Sequence, residues 1–284
     1  MWGRVWYLNT VIEGPRFSAT TVSHFSIKDP LIQAFQALDL VFYGGGVTGL
    51  SSLLILKELM SRAQKKDRRD TVPKPCELFD TIAGTGTGAI SAVMLGRPRM
   101  EIDEAIRTYT RLMKTVFSER KYTLKGDTGR FKASVLESEL NRMIGSVLGD
   151  KDQKMVEEEQ ADEGTRCKVV VYASSASRDP SAGPVAFRSY PSTITPTRCT
   201  IWEALRATTA HPQMFKPIQV DVEDTGLRDL FMCGGLMCTN PTPRLLEEAE
   251  QVYPGRGVAS ITSIGTENPG PIQLTTGFWD SGDQ

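Results

Sequence analysis

The residues whose spacing carries the most chemistry lie between positions 79 and 97, FDTIAGTGTGAISAVMLGR. An apolar run, a cluster of small residues and a second apolar run give the frame strand, sharp turn, helix. In the Gly-x-Ser-x-Gly version of that frame a serine stands at the turn, its hydroxyl raised as a nucleophile. The flanking glycines are present as Gly84 and Gly88, and the central residue is Gly86. Glycine has no side chain, so it can neither attack a carbonyl nor carry an acyl group. Thr85 and Thr87 flank the gap with hydroxyls, but only the central residue of such a turn projects into the site. Both threonines are therefore expected to point elsewhere.

A second glycine turn precedes the first. Residues 38–60, LDLVFYGGGVTGLSSLLILKELM, read as a buried strand, a turn at Gly44, Gly45 and Gly46, and a helix with leucines at core-facing spacing. Backbone N–H groups at two such turns can form a cradle for an anion, either a phosphate or the oxyanion of acyl transfer. Neither turn is followed by Gly-Lys-Ser/Thr, which excludes a Walker loop. Gly44, Gly46 and Gly49 fit the dinucleotide spacing G-x-G-x-x-G. The position for a ribose-binding acid, about 20 residues on, falls in a charged loop, which argues against that site.

Composition narrows the function classes. Lys and Arg number 33 against 34 Asp and Glu, a net charge of -1, so no overall basic field draws nucleic acid and no such partner is expected. The five cysteines, Cys76, Cys167, Cys199, Cys233 and Cys238, include no C-x-x-C pair and fit a reduced setting better than a disulfide framework or a zinc ribbon. His24 and His211 are the two histidines, too few for a histidine metal cluster, and neither metal nor cofactor is expected. The most apolar stretch, residues 47–60, is shorter than the roughly 20 residues that span a bilayer and carries Lys57 and Glu58. The expectation is a cytoplasmic protein without a transmembrane segment, with peripheral membrane contact left open. The oligomeric state is also open.

These residues need elements to position them. Residues 1–37 read as an irregular extension with room for one short strand, and residues 38–268 as one domain. Helical periodicity covers residues 101–117 and 133–149, with methionine and aromatic stripes that belong to the core. Residues 149–164 form a charged, exposed insertion. Strands follow at 167–175 and 184–190, as neighbours or an antiparallel pair, then a helix ending near Pro212, strands at 217–222 and 228–232, a helix at 242–253 and a last strand at 257–266. Residues 269–284 are a patternless tail. The alternation predicts a three-layer α/β/α fold with a mostly parallel central sheet and a site at the strand carboxyl ends.

Five ordered blocks resemble the patatin-like phospholipases, the fungal branch especially. YGGGVTGLSSLLILKELM is similar to their Asp-Gly-Gly-Gly-x-Arg-Gly oxyanion loop and helix, and FDTIAGTGTGAISAVMLGR to their Gly-x-Ser-x-Gly elbow. IWEALRATTAHPQMFKPI resembles their helix and Ala-Pro loop, MCGGLMCTNPT their Asp-Gly-Gly/Ala block with Asn-Pro, and SITSIGT their Ser-Ile-Gly-Thr strand. The resemblance implies a serine and aspartate dyad that hydrolyses lipid acyl esters. Carried over by position, the nucleophile falls on Gly86 and the acid-base aspartate on Cys233, while Tyr43 and Thr48 stand where the family has aspartate and arginine. Gly44, Gly45 and Gly46 keep the oxyanion loop. Gly84, Gly88, Gly234, Gly235, Asn240 and Pro241 keep the backbone blocks.

Loss of nucleophile and base together removes covalent catalysis. The leading expectation is a protein of lipid acyl hydrolase fold without Ser/Asp hydrolase activity, holding a lipid or other small apolar ligand. A second is a repurposed enzyme, with His211, Cys233 and Tyr43 performing an acid-base or cyclisation step on a small apolar substrate. A third is a residual phospholipase.

Overall fold

In the computed structural model, residues 9–14, 17–22, 36–118, 120–121, 129–157, 167–179, 182–192, 199–221, 228–236 and 238–265 are described. β3 (Gln36–Phe42) and β4 (Thr81–Thr85) pair in parallel, Asp39 opposite Thr81 and Phe42 opposite Gly84. β5 (Lys168–Ser175) continues the parallel set beyond β4, and β9 (Gly257–Ile264) joins it on the far side of β3. These four central strands carry the alternating βα connections read from the sequence.

Antiparallel strands complete the sheet at both flanks. β8 (Arg228–Met232) and β6 (Val185–Arg188) each pair with β5, and β7 (Ile218–Asp221) pairs with β8. At the other edge β1 (Asn9–Gly14) and β2 (Phe17–Val22) form a hairpin whose second strand pairs with β9. The sheet order is β1-β2-β9-β3-β4-β5-β8-β7. Residues 9–14 and 17–22 are thus more regular than expected, because an edge hairpin takes its register from the strand it joins rather than from a strong pattern of its own.

Side chains alternate across the sheet with period two. Leu40, Phe42, Ile82, Val169 and Val171 enter the larger cluster. It is covered by α1 (Gly49–Asp67), α3 (Thr87–Gly96), α4 (Ile102–Val116), α5 (Ala133–Leu148) and α6 (Ile201–Thr208), with a short α2 (Pro75–Leu78) before β4. Val41, Ala83, Val170 and Tyr172 face the other way, toward Leu245 on α7 (Thr242–Val252). This is the three-layer α/β/α arrangement. The first α5 turn begins a stripe of Leu136, Leu140, Met143 and Ile144, all buried as core.

Over residues 149–154 the charged insertion is mostly exposed, as expected, and residues 155–157 pack against the domain. Met155 is fully buried, its N–H donating to the Cys199 carbonyl, and Glu157 pairs with Arg97 at 2.5 Å. Residues 158–164, the rest of the insertion, and the tail at 269–284 lie outside the described residues.

A carboxyl group also sits inside the sheet. Asp39 on β3 is fully buried, and neither of its oxygens has a hydrogen-bond partner among the described residues. Desolvation raises its pKa from the ordinary 3.8 to about 7; Asp80 adds to the rise, and the Thr81 hydroxyl and Arg256 cation offset part of it.

Candidate functional site

The carboxyl ends of β3 and β4 open onto a cavity of about 280 Å³. Gly44, Gly45, Gly46 and Gly86 line it from the two glycine turns, and His211 and Cys233 line it from the later blocks. Phe117, Met214 and Phe215 supply apolar walls. Residues far apart in sequence thus meet in one place.

Close approach dictates the outer glycines of the elbow. A Cβ on Gly88 would lie 2.5 Å from the Tyr43 carbonyl oxygen, and one on Gly84 2.7 Å from the Ala89 backbone. Both contacts are impossible without moving strand or helix, so α3 packs tightly on β3 and β4 because these positions lack side chains. Gly86 differs. Its φ of 56° and ψ of −132° hold the strained elbow conformation. A Cβ added there meets Gly44 Cα at 3.3 Å, a contact that a few tenths of an ångström would relieve. Packing therefore does not require glycine at Gly86 as it does at Gly84 and Gly88.

Thr208 fixes the elbow from α6. Its Oγ1 accepts from the Gly86 N–H at 2.7 Å and donates to the Tyr172 carbonyl at 2.6 Å. Nothing in the sequence singled out this threonine, since a helix-terminal Thr has no distinctive spacing. Gly234 lets the segment after β8 pack against β5 and the elbow, because a Cβ there would fall 2.1 Å from the Tyr172 carbonyl oxygen and 2.6 Å from Thr85 Oγ1.

The glycine loop is tied to the elbow by a hydroxyl. The N–H groups of Gly45 and Gly46 both donate to Thr87 Oγ1, at 3.0 and 2.8 Å. Tyr109 of α4, fully buried, donates its hydroxyl to the Gly46 carbonyl at 2.6 Å, and Thr48 Oγ1 donates to the Gly45 carbonyl at 2.7 Å. Thr87 does not point away, as the elbow pattern implied; it occupies two of the amides expected to receive an oxyanion. Thr85 is also in the cavity wall. It is 1% exposed, and its Oγ1 has no partner among the described residues.

Cys233 sits just past β8, 7% exposed. Its N–H donates to the Ala210 carbonyl at 3.0 Å, its carbonyl accepts from Ser174 Oγ at 3.0 Å, and the Gly235 N–H donates to its Sγ at 3.3 Å. The first of these bonds places it beside the His211 segment. Asn240 and Pro241 serve the backbone: Asn240 Oδ1 accepts from the Thr242 N–H at 3.0 Å where α7 begins.

His211 is half-buried, and burial lowers its pKa, which favours the neutral ring. Its Nδ1 accepts from the Gln213 N–H at 3.2 Å, which leaves the ring proton on Nε2. In this tautomer the imidazole offers the cavity a donor rather than a base. Tyr43 is separated from the group altogether. It packs against the smaller cluster on the α7 face, and its hydroxyl accepts from Ser263 Oγ at 3.0 Å. Among the described residues no cluster of three or more His, Cys, Asp or Glu could hold a metal ion, and no helix is long and apolar enough to cross a membrane.

Comparison with known proteins identifies the family of the chain. The family profile described as patatin-like phospholipase matches residues 40–246. The chain is 29% identical over 235 residues to calcium-independent phospholipase A2-gamma of Mus musculus, a match covering 78% of this chain and 27% of that protein. It is 30% identical over 214 residues to an Arabidopsis thaliana protein named probable inactive patatin-like protein 9, covering 70% of this chain and 50% of that one. Among solved structures, VipD from Legionella pneumophila matches with a TM-score of 0.43 and 13% identity, over 82% of this chain and 50% of that one. The chain therefore spans about a quarter to a half of the length of these curated relatives.

Proposed function

Since the chain belongs to the patatin-like phospholipase family, we propose that it keeps the lipid acyl hydrolase fold without Ser/Asp ester hydrolysis and uses the inherited cavity to hold a lipid acyl chain or other small apolar ligand. The observation that carries this reading is Gly86. The elbow conformation is intact, and space at the turn does not forbid a side chain, yet the nucleophile is absent. The carboxylate position holds the thiol of Cys233, and Thr87 occupies the amides of Gly45 and Gly46. Removing a triad-type nucleophile costs about 10⁶ in turnover, and a lost oxyanion donor about 10² to 10³ more. What remains is a cavity with walls of Phe117, Met214 and Phe215 and the His211 ring at its edge. Closer kinship with the fungal members, and a cytoplasmic setting, belong to the same proposal. Relatives carry both kinds of name, calcium-independent phospholipase A2-gamma and probable inactive patatin-like protein 9.

The test is incubation of the purified chain with a serine-reactive fluorophosphonate and a panel of fatty-acyl esters, beside a binding titration with a fluorescent fatty acid. Expected are no label, no turnover above background and saturable binding. Turnover that follows the protein through purification overturns the reading in favour of a residual phospholipase.

The repurposed-enzyme reading draws on one feature, the shared cavity wall of His211 and Cys233. It stands if a demonstrated non-hydrolytic activity is lost in His211→Ala and Cys233→Ala, and it fails if both variants retain that activity.

A further inference from the structure

Beside the cavity runs a second depression, a groove of about 280 Å³ between the glycine-loop turn, α1 and α4. Val47, Leu50 and Met113 give it an apolar lining, Lys114 forms part of one wall, and Phe117 belongs both to this groove and to the cavity. The two depressions therefore adjoin along one aromatic side chain.

The rim of the groove is apolar and exposed. Val47 is 56% exposed and Leu54, one helical turn beyond Leu50 on α1, is 52% exposed. Few other large apolar side chains among the described residues are so open: Val72 and Leu246 complete that set. Val47 thus exposes apolar surface at the groove itself, and Leu54 extends it along α1 one turn beyond the lining residue Leu50, where a monomer in water gains nothing from it.

Next to this rim α4 presents cations. Arg107, Arg111 and Lys114 recur at i, i+4 and i+7, so they form one stripe on the exposed face of the helix. None of the three makes an ion pair among the described residues. Two acids precede the stripe on the helix: Asp103 is paired with Lys57 of α1 at 2.6 Å, and Glu104, three residues before Arg107, makes no ion pair with the stripe among the described residues. The result is a local positive stripe on a protein whose net charge is -1.

We infer that this face, Val47 and Leu54 with the stripe Arg107, Arg111 and Lys114, docks on an anionic lipid surface and sets the mouth of the cavity against the bilayer. Cations in a stripe match lipid phosphates and anionic headgroups, while the exposed apolar rim enters the acyl boundary beneath them; either feature alone holds a protein only loosely. Phe117 then connects the bilayer-facing groove to the cavity. That last connection rests on the apolar-ligand reading; the docking itself does not.

The experiment is co-sedimentation of the full chain with vesicles of phosphatidylcholine alone and of phosphatidylcholine mixed with phosphatidylglycerol. Binding is expected to the anionic vesicles and to weaken steeply with salt. Each cation near the surface contributes about fivefold, so Arg107→Gln/Arg111→Gln/Lys114→Gln should lose on the order of 100-fold in affinity. The charge-keeping Arg107→Lys/Arg111→Lys should retain it, and Val47→Ser should lose about tenfold through its apolar contact. All these positions are exposed, and circular dichroism confirms folding of each variant. Equal affinity for neutral and anionic vesicles overturns the inference, as does an unaffected triple Gln variant. Tighter binding to a nucleic acid that displaces the vesicles overturns it too. Fluorescent fatty acid binding without vesicles is read in parallel: its absence with docking intact defeats the ligand reading alone, and its presence without docking defeats this one alone.

Discussion

Asp39→Asn tests the buried carboxyl of β3. Asp39 is fully buried with no hydrogen-bond partner among the described residues, and burial lifts its pKa from 3.8 to about 7. Between those values the folded chain retains a proton that the unfolded chain has released. Stability therefore falls as pH rises from about 4 and levels off once pH passes the folded value near 7. At 1.36 kcal/mol per pH unit the whole interval amounts to about 4 kcal/mol, an upper figure because water penetration relaxes a buried charge. A domain is commonly stable by about 5 to 15 kcal/mol, so the effect is large. Asparagine fills the same volume and carries no charge at any pH. Urea unfolding of both chains at a series of pH values from 5 to 8 isolates the term, because other titrating groups cancel in the difference. The variant should gain on the wild type progressively up to about pH 7 and hold that gain above it. A difference that stays constant within about 1 kcal/mol across the series refutes the reasoning. Asp39 lies on β3 upstream of the cavity residues, so ligand binding should be unchanged.

Two further outcomes follow from the elbow. Gly88→Ala should destabilise the fold by about 1 to 3 kcal/mol or prevent folding, since its Cβ would lie 2.5 Å from the Tyr43 carbonyl oxygen, whereas Gly86→Ala meets nothing closer than 3.3 Å and should cost about 1 to 2 kcal/mol through its positive φ; thermal unfolding midpoints rank the two. The double substitution Gly86→Ser with Cys233→Asp should yield acyl-ester turnover above the wild-type background, held low because the Gly45 and Gly46 amides are bonded to Thr87; a folded double variant at background shows that the cavity itself has been rebuilt.

Much of this protein is legible in its sequence. A mostly apolar run at 38–42 and a valine-rich one at 167–175 mark buried parallel strands, and leucine and methionine stripes mark α1, α4 and α5. Such patterns are readable because each strand or helix must bury one periodic face, and that requirement is written locally. The spacing of Gly84, Gly86 and Gly88 likewise reveals the elbow and its missing hydroxyl. The edge hairpin β1-β2 was not legible, because its register comes from β9, some 240 residues later in the chain.

What only the tertiary structure decided is where hydroxyls and rings point once the strands have assembled. Sequence put Tyr43, His211 and Cys233 near one site; the fold keeps the latter two in the cavity wall and turns Tyr43 to the α7 face, because side chains alternate along β3. Sequence also sent the Thr87 hydroxyl away from the site, whereas the packing of α3 against β3 brings its Oγ1 within 3.0 Å of two amides of the glycine loop. The glycine at position 86 is read from the chain alone. Whether the surrounding donors face a ligand or one another depends on contacts between residues 40 or more positions apart, and no local pattern encodes those.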